Sequence, residues 1–346
     1  MSKMLEEIKE QPAALERTLK SELAAIGDLK SRLSTKPPRM ILLAARGTSD
    51  NAAQFGRYLL EITTGIPVSL AAPSIFTLYK APVKLGEALV VAISQSGEST
   101  DTNLVLERAR EQGCVTIGIT NEASSSLARL AEHTFLVRAG KEKSVAATKT
   151  YTGQLMMLYL LAYALGGRIE LDDLMRLPSW ADQALSLEQE VRNKAERFRF
   201  MDHAVVVGRG LNYSNAFEFA LKLMETCYVI AERFSSADLM HGPIAMVEAG
   251  FPAFLFAPTG VTWPGLRGMI EKLNELRAET LLITDRSNSE ALSLQRSVIT
   301  IPAELREMYT PIPYIVPAQL FAAMLAEHKG INPDQPRTLS KVTRTM

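Results

Sequence analysis

Ala88-Leu89-Val90-Val91-Ala92-Ile93 runs straight into Ser94-Gln95-Ser96-Gly97-Glu98-Ser99-Thr100. Six consecutive apolar residues without alternation read as a strand buried on both faces, the habit of a parallel sheet covered by helices. A polar turn with a central glycine follows, and then a helical pattern over Thr100–Gln112. The same order recurs around it. Short apolar runs at Met40–Ala45, Val68–Ala71, Val115–Ile119 and Thr134–Val137 alternate with helical patterns at Asn51–Glu61 and Ser125–Ala131. Strands alternating with helices predict an α/β fold with a doubly wound parallel sheet.

Outward from this unit, residues 1–35 read as helical. Gln11-Pro12 breaks a first turn, Leu15, Leu19, Leu23 and Ile26 then recur at helical spacing, and Lys36-Pro37-Pro38 ends the stretch. On the other side, a long helical region covers Thr148–Leu165 and Leu174–Arg199, with Pro178 expected to interrupt it. Strands resume at Ala204–Val207, Ala253–Phe256, Thr280–Ile283 and Ser297–Ile301. Ile41-Leu42-Leu43-Ala44-Ala45-Arg46-Gly47 before Ser49-Asp50-Asn51-Ala52 resembles Val205-Val206-Val207-Gly208-Arg209-Gly210 before Tyr213-Ser214-Asn215-Ala216. This points to an internal duplication of one α/β unit.

The 346 residues suffice for two domains. With 47% hydrophobic and 22% charged residues, disorder and a disulfide scaffold are excluded. Thirty-eight basic and 38 acidic residues cancel, so a bound anion needs a local site rather than a global basic field. Cys114 and Cys227, far apart in strand-like apolar segments, are expected as buried thiols in a reducing compartment. His133, His203, His241 and His328 lack metal-ligand spacing, so no metal is expected. Acidic residues near the start argue against a signal peptide, and Leu155–Leu165 is too short for a bilayer that needs about 20 residues. A cytoplasmic protein follows as the expectation.

Ser94–Thr100 at the carboxyl end of a parallel strand suits an anion cradle, with hydroxyls, backbone N–H groups and a helix N-terminus facing the ligand. The motif has no lysine and no nucleotide P-loop pattern, which favours a phosphate monoester. The bland alternative is a serine-rich helix cap. Thr48 and Ser49, after the first strand, either reach the same ligand or cap a helix. Lys222 and Glu225, three apart on a helix and sharing a face, read by themselves as a surface ion pair. His241, before Gly242-Pro243, and the terminal Asp334–Lys341 carry no signal alone.

Taken together and in order, Arg46–Ser49, Ser94–Thr100, Lys222–Glu225, His241-Gly242-Pro243 and Asp334–Lys341 resemble the sugar isomerase (SIS) family. They are most similar to the isomerase half of glucosamine-6-phosphate synthases. The opening Met4–Pro12 also looks like the start of that half.

The resemblance implies two tandem SIS domains, each a five-stranded parallel sheet flanked by helices in flavodoxin-like order. Residues 1–35 would be an N-terminal helical segment, 36–170 the first domain, 171–200 linking helices, 201–330 the second domain and 331–346 an active-site tail. It implies a six-carbon sugar phosphate held by Ser94, Gln95, Ser96, Ser99 and Ser49, with Thr48, Val145 and Ala147 lining the sugar. Glu225 would move a proton between C1 and C2, and His241 would assist ring opening from the partner subunit of a homodimer. Lys222 would stabilise the enediol-type intermediate, and Lys341 would meet the sugar carbonyl. No cofactor, nucleic acid or membrane partner is implied.

Some positions depart from the synthases. Ser99 stands where threonine is usual, Ala147 replaces a serine, and Met224 and Met240 replace lysines. With no cysteine before Cys114, a glutaminase is not expected on this polypeptide. These departures resemble the stand-alone deaminase and isomerase branch, so isomerising deamination of glucosamine 6-phosphate is the leading expectation. A fructosamine-6-phosphate deglycase, a plain aldose–ketose isomerase and a phosphosugar sensor are the alternatives.

Overall fold

The computed structural model describes residues 2–295 and 297–339. In chain order it begins with helices α1 (Lys3–Lys9) and α2 (Gln11–Thr35), which part at Glu10 just before Pro12. Then come β1 (Met40–Ala44), α3 (Thr48–Thr64), β2 (Val68–Leu70), α4 (Pro73–Thr77), β3 (Ala88–Ser94) and α5 (Thr100–Glu111). β4 (Val115–Thr120), α6 (Ser126–Leu130), β5 (His133–Leu136) and α7 (Lys149–Ala164) complete this part. Helices α8 (Leu171–Leu185) and α9 (Glu188–Arg197) lead to β6 (His203–Gly208), α10 (Tyr213–Cys227), β7 (Ile230–Ser235) and α11 (Ser236–Met240). The chain ends with β8 (Pro252–Phe256), α12 (Trp263–Glu275), β9 (Glu279–Asp285), α13 (Ser289–Leu294), β10 (Val298–Ile301) and α14 (Pro311–His328).

Two compact units form. The first contains residues 13–142 and 149–176, and the second contains residues 2–12, 143–148 and 177–339. The first sheet has the order β2-β1-β3-β4-β5 and the second β7-β6-β8-β9-β10, all pairs parallel. Both sheets therefore show the same 2-1-3-4-5 winding, and the expected α/β architecture with its duplication stands. Every residue of β3 is buried, as its unbroken apolar run requires. In the first unit Leu42, Val90 and Ala92 pack with Val105, Leu106 and Leu127, and in the second Val205, Val207 and Leu255 pack with Leu266 and Ile270. Behind the second sheet, Phe198, Phe219, Phe254 and Phe321 meet with ring centroids 5.0–5.7 Å apart.

The apolar run at Leu155–Leu165 belongs to α7, which is buried almost all round, as is α14. Among the described residues, no helix is long and apolar enough to cross a membrane.

Three local expectations need correction. Pro178 does not interrupt its helix: α8 runs through it, because Leu174, Leu177, Ala181 and Ala184 keep one face fully buried and outweigh the lost backbone bond. The break falls instead at Ser186–Leu187. Strand β7 was not expected, since Ile230-Ala231-Glu232-Arg233-Phe234-Ser235 is an edge strand with exposed residues and no continuous apolar run. The cysteines are both free and buried, but neither lies in a strand: Cys114 precedes β4 and Cys227 ends α10.

Cys227 donates a 3.2 Å bond from Sγ to the Ala322 carbonyl, and burial pushes its thiol up to about 12. The unfolded thiol ionises near 9, so this residue's contribution to stability is present below pH 9 and is lost as pH rises from 9 toward 12. The native protein should resist thiol reagents at Cys227 at pH 8, and it should lose stability above pH 9 faster than Cys227→Ala in urea titrations. Equal slopes for the two proteins would refute this.

Candidate active site

In the first unit, β3 ends on Ser94, and the loop beyond it is held from several sides. Ser94 Oγ accepts from the Gly97 N–H at 3.1 Å, and Ser96 Oγ accepts from the Glu98 N–H at 3.3 Å. Gly97 lies at φ +66°, and a Cβ there would stand 2.2 Å from Ser125 Oγ, so only glycine fits. The Gly97 carbonyl accepts from the Leu127 N–H at 2.9 Å and from Asn103 Nδ2 at 3.1 Å. Glu98 accepts from the Ser126 N–H and hydroxyl, both at 2.8 Å, and these bonds lower its carboxyl below the usual range. Ser99 is the N-cap of α5, with its Oγ 2.9 Å from Thr102 Oγ1. The loop is thus a preformed polar turn at a helix N-terminus, with Gln95 and Ser96 half-buried on it.

The β1 turn is tied to the same helix start. Arg46 donates from Nε and Nη2 to Asp101 Oδ2 at 3.0 and 2.8 Å, and Asp101 is buried in the first turn of α5. Burial raises the Asp50 carboxyl against the opposing pull of Arg46. Thr48 and Ser49 open α3, but neither is its cap: the N-cap is Gly47, without a side-chain bond. Ser49 is buried, and its Oγ accepts from Gln154 Nε2 of α7 at 2.9 Å. An oxygen that already accepts keeps its own O–H free to donate, which suits an acceptor-only ligand such as phosphate.

The second unit carries the titratable cluster. Lys222 is completely buried on α10, and its Nζ lies 2.5 Å from Glu225 Oε2 and 3.4 Å from Glu218 Oε1. Glu218 is equally buried, whereas Glu225 keeps about a quarter of its side chain, 23%, exposed. The surface ion pair considered from sequence is therefore a buried one, in which one ammonium is shared by two carboxylates. Glu218 was missed, although its i,i+4 spacing to Lys222 was readable. His241 follows α11 at an exposed tip; its N–H donates to the Asp238 carbonyl at 3.2 Å, while its ring bonds to no described residue. Val145 and Ala147 are half-buried in a segment fastened to the second unit. Glu7 of α1 accepts from the Lys143 and Ser144 N–H groups, and Gln319 of α14 donates to the Thr148 carbonyl at 3.3 Å. Lys341 lies outside the described residues.

Thr48, Ser49, Ser94, Gln95, Ser96 and Ser99 thus belong to the first unit, and Lys222, Glu225, His241, Val145 and Ala147 to the second. Gln154 and the Arg46–Asp101 pair were also missed, since nothing local in the sequence marks residues that meet through the fold.

The family model described as the SIS domain matches twice, over residues 36–164 and 198–329, one match for each parallel sheet. The chain belongs to the SIS family. The glutamine–fructose-6-phosphate aminotransferase (isomerizing) of Aquifex aeolicus is 35% identical over 342 residues, which is 98% of this chain and 57% of that protein. The chain therefore spans a little over half the length of such curated relatives. Among solved structures, the C-terminal domain of the glucosamine-fructose-6-phosphate aminotransferase of Francisella tularensis superposes with a TM-score of 0.89. It is 29% identical, with 97% of this chain and 98% of that one covered. The glucosamine-6-phosphate deaminase of Thermotoga maritima has a TM-score of 0.82 at 23% identity, covering 99% of this chain and all of the other, a likeness of fold alone.

Within this SIS chain the lysine–carboxylate cluster makes a stability prediction. Lys222→Met leaves the buried Glu218 carboxylate without its cation and should cost about 3–5 kcal/mol in urea denaturation. Adding Glu218→Gln should recover most of that loss. A double variant no more stable than Lys222→Met would contradict the charge-pairing account.

Proposed function

We propose that the protein is an isomerising glucosamine-6-phosphate deaminase, converting glucosamine 6-phosphate and water to fructose 6-phosphate and ammonia. One observation carries the reading. Glu225 is a partly exposed carboxylate locked to a buried lysine, the arrangement of a general base with a charge held beside it. A phosphosugar sensor would need only the cradle.

In this reading Ser94, Gln95, Ser96, Ser99 and Ser49 anchor the phosphate, and Thr48, Val145 and Ala147 line the sugar. An anchor remote from the reacting carbons holds C1 and C2 in place for proton transfer. His241, contributed by the partner subunit of a homodimer, assists opening of the ring to the aldehyde. Glu225 takes the proton from C2, negative charge develops toward O1, and the proton returns at C1. Lys222 holds the charge balance beside Glu225 throughout. The product of that step has a C2 imine, which water hydrolyses to the ketone, releasing ammonia. Lys341 meets the carbonyl region and is able to form an imine with the ketose. Two free, buried cysteines are in keeping with a reducing, cytoplasmic setting.

Purified protein given glucosamine 6-phosphate should release ammonia and fructose 6-phosphate in equal amounts. Turnover of a fructosamine 6-phosphate instead would replace this reading by a deglycase, and binding without any turnover would replace it by a sensor. Glu225→Gln should lower kcat on the order of 10²–10⁴-fold while fructose 6-phosphate still binds. Ser96→Ala should do the reverse, raising KM with a smaller effect on kcat. Mixed dimers of Glu225→Gln and His241→Ala chains should regain activity, and no recovery would refute a site shared between subunits.

A further inference from the structure

Strands β1, β2 and β3 correspond in register to β6, β7 and β8 without a gap. Leu43 pairs with Val91 in the first sheet and Val206 with Phe254 in the second, a constant shift of 163 residues (206 − 43 and 254 − 91). Carried beyond the strands, the same shift sets Arg46 on Arg209, Gly97 on Gly260, and Ser99 on Thr262. It also sets Thr100, the first residue of α5, on Trp263, the first residue of α12. Ser99 and Thr262 are both N-caps, and Gly97 and Gly260 both have positive φ, +66° and +137°. The turn after β8 thus stands where the cradle stands after β3 and shares its glycine and hydroxyl cap, although Ala257 and Pro258 take the places of Ser94 and Gln95.

The two copies differ in what fills them. In the second, the Glu307 carboxylate sits in the turn. Thr262 donates from Oγ1 to Glu307 Oε1 at 2.6 Å and from its backbone N–H to Oε2 at 3.4 Å. A Cβ on Gly260 would come within 2.1 Å of Oε2, so glycine is what admits the carboxylate. From the other side, a Cβ on Gly210, after β6, would lie 3.9 Å from Oε1. Thr262 makes no side-chain bond back to its own helix, unlike Ser99, so its hydroxyl is given over to the carboxylate. Glu307 is delivered by a short 3-10 turn, Glu307–Tyr309, just ahead of α14.

We propose that Glu307 is an internal stand-in ligand: its carboxylate occupies, in the second unit, the place that the first unit keeps for a sugar phosphate. The chain consequently binds one phosphosugar rather than two. The second copy has become a structural latch, with an anion binding energy spent on fastening the turn before α14. Without Glu307 the second cradle is an open site for a small oxyanion such as formate, acetate or inorganic phosphate. The inference rests on the proposed function only for the reading of the first cradle as a phosphate holder.

Glu307→Ala should melt on the order of 3–6 °C below the wild type. Tens of millimolar formate or acetate should restore most of that difference at constant ionic strength, while leaving the wild type unmoved. Inorganic phosphate should stabilise Glu307→Ala beyond any shift it gives the wild type. Glu307→Gln keeps the shape and removes the charge, and should be less stable than the wild type without rescue, because the amide still fills the cradle. Absence of anion rescue in Glu307→Ala, or wild-type stability in Glu307→Gln, overturns the inference. Fructose 6-phosphate should titrate the wild type at one per chain, and two per chain also overturns it. Failure of the wild type to bind any phosphosugar would sink the proposed function, yet anion rescue of Glu307→Ala would still stand.

Discussion

In each unit a parallel sheet is covered by helices, which leaves its carboxyl edge as the place where polar groups can gather. All strands of a parallel sheet end at the same edge, and the helices that follow start there, so loop hydroxyls and helix N-termini collect together. The polar groups of the candidate site in the first unit follow from that constraint. The Ser94 loop, the Arg46–Asp101 tie and the Ser49–Gln154 bond all lie at the β1 and β3 ends or at the helices that follow. The loop is rigid because neighbouring crossovers hold it: Ser125 and Leu127 pack against Gly97, and Ser126 fixes Glu98.

The second unit uses its interior differently. A fully buried lysine is tolerable only beside charge of the opposite sign, and Lys222 has two carboxylates within 3.4 Å. Burial makes this arrangement exacting, because it fixes which oxygen of Glu225 faces the lysine and leaves the rest of that carboxylate toward the surface. The same helix ends on the buried Cys227 thiol, and within the lysine–carboxylate cluster it is Glu225 that stays partly exposed.

Duplication produced two similar edges, and divergence made them unequal. Ser99 of the first copy caps its own helix and belongs to an open turn, whereas Thr262 of the second holds Glu307. An anion cradle is stable when occupied, and an occupant supplied by the chain itself costs no loss of free translation. The second sheet thereby gained a fixed connection to α14.

The unbroken apolar run at residues 88–93 and its like through both halves were enough to determine parallel α/β units, since burial on both faces leaves no alternation, and the matching Arg46-Gly47 and Arg209-Gly210 turns marked their duplication. The loop at Ser94–Ser99 was legible too, because its residues are contiguous and their chemistry is local. Strand β7 was not, since an edge strand is half solvated and carries no continuous apolar signal. Pro178 misled because its local cost is small beside a fully buried helix face. Only the tertiary structure decided that Lys222 is buried, that Glu218 shares it, that Gln154 sets the Ser49 hydroxyl, and that Glu307 fills the second cradle. Burial and the meeting of residues distant in sequence depend on how elements pack, and a spacing along the chain does not record that.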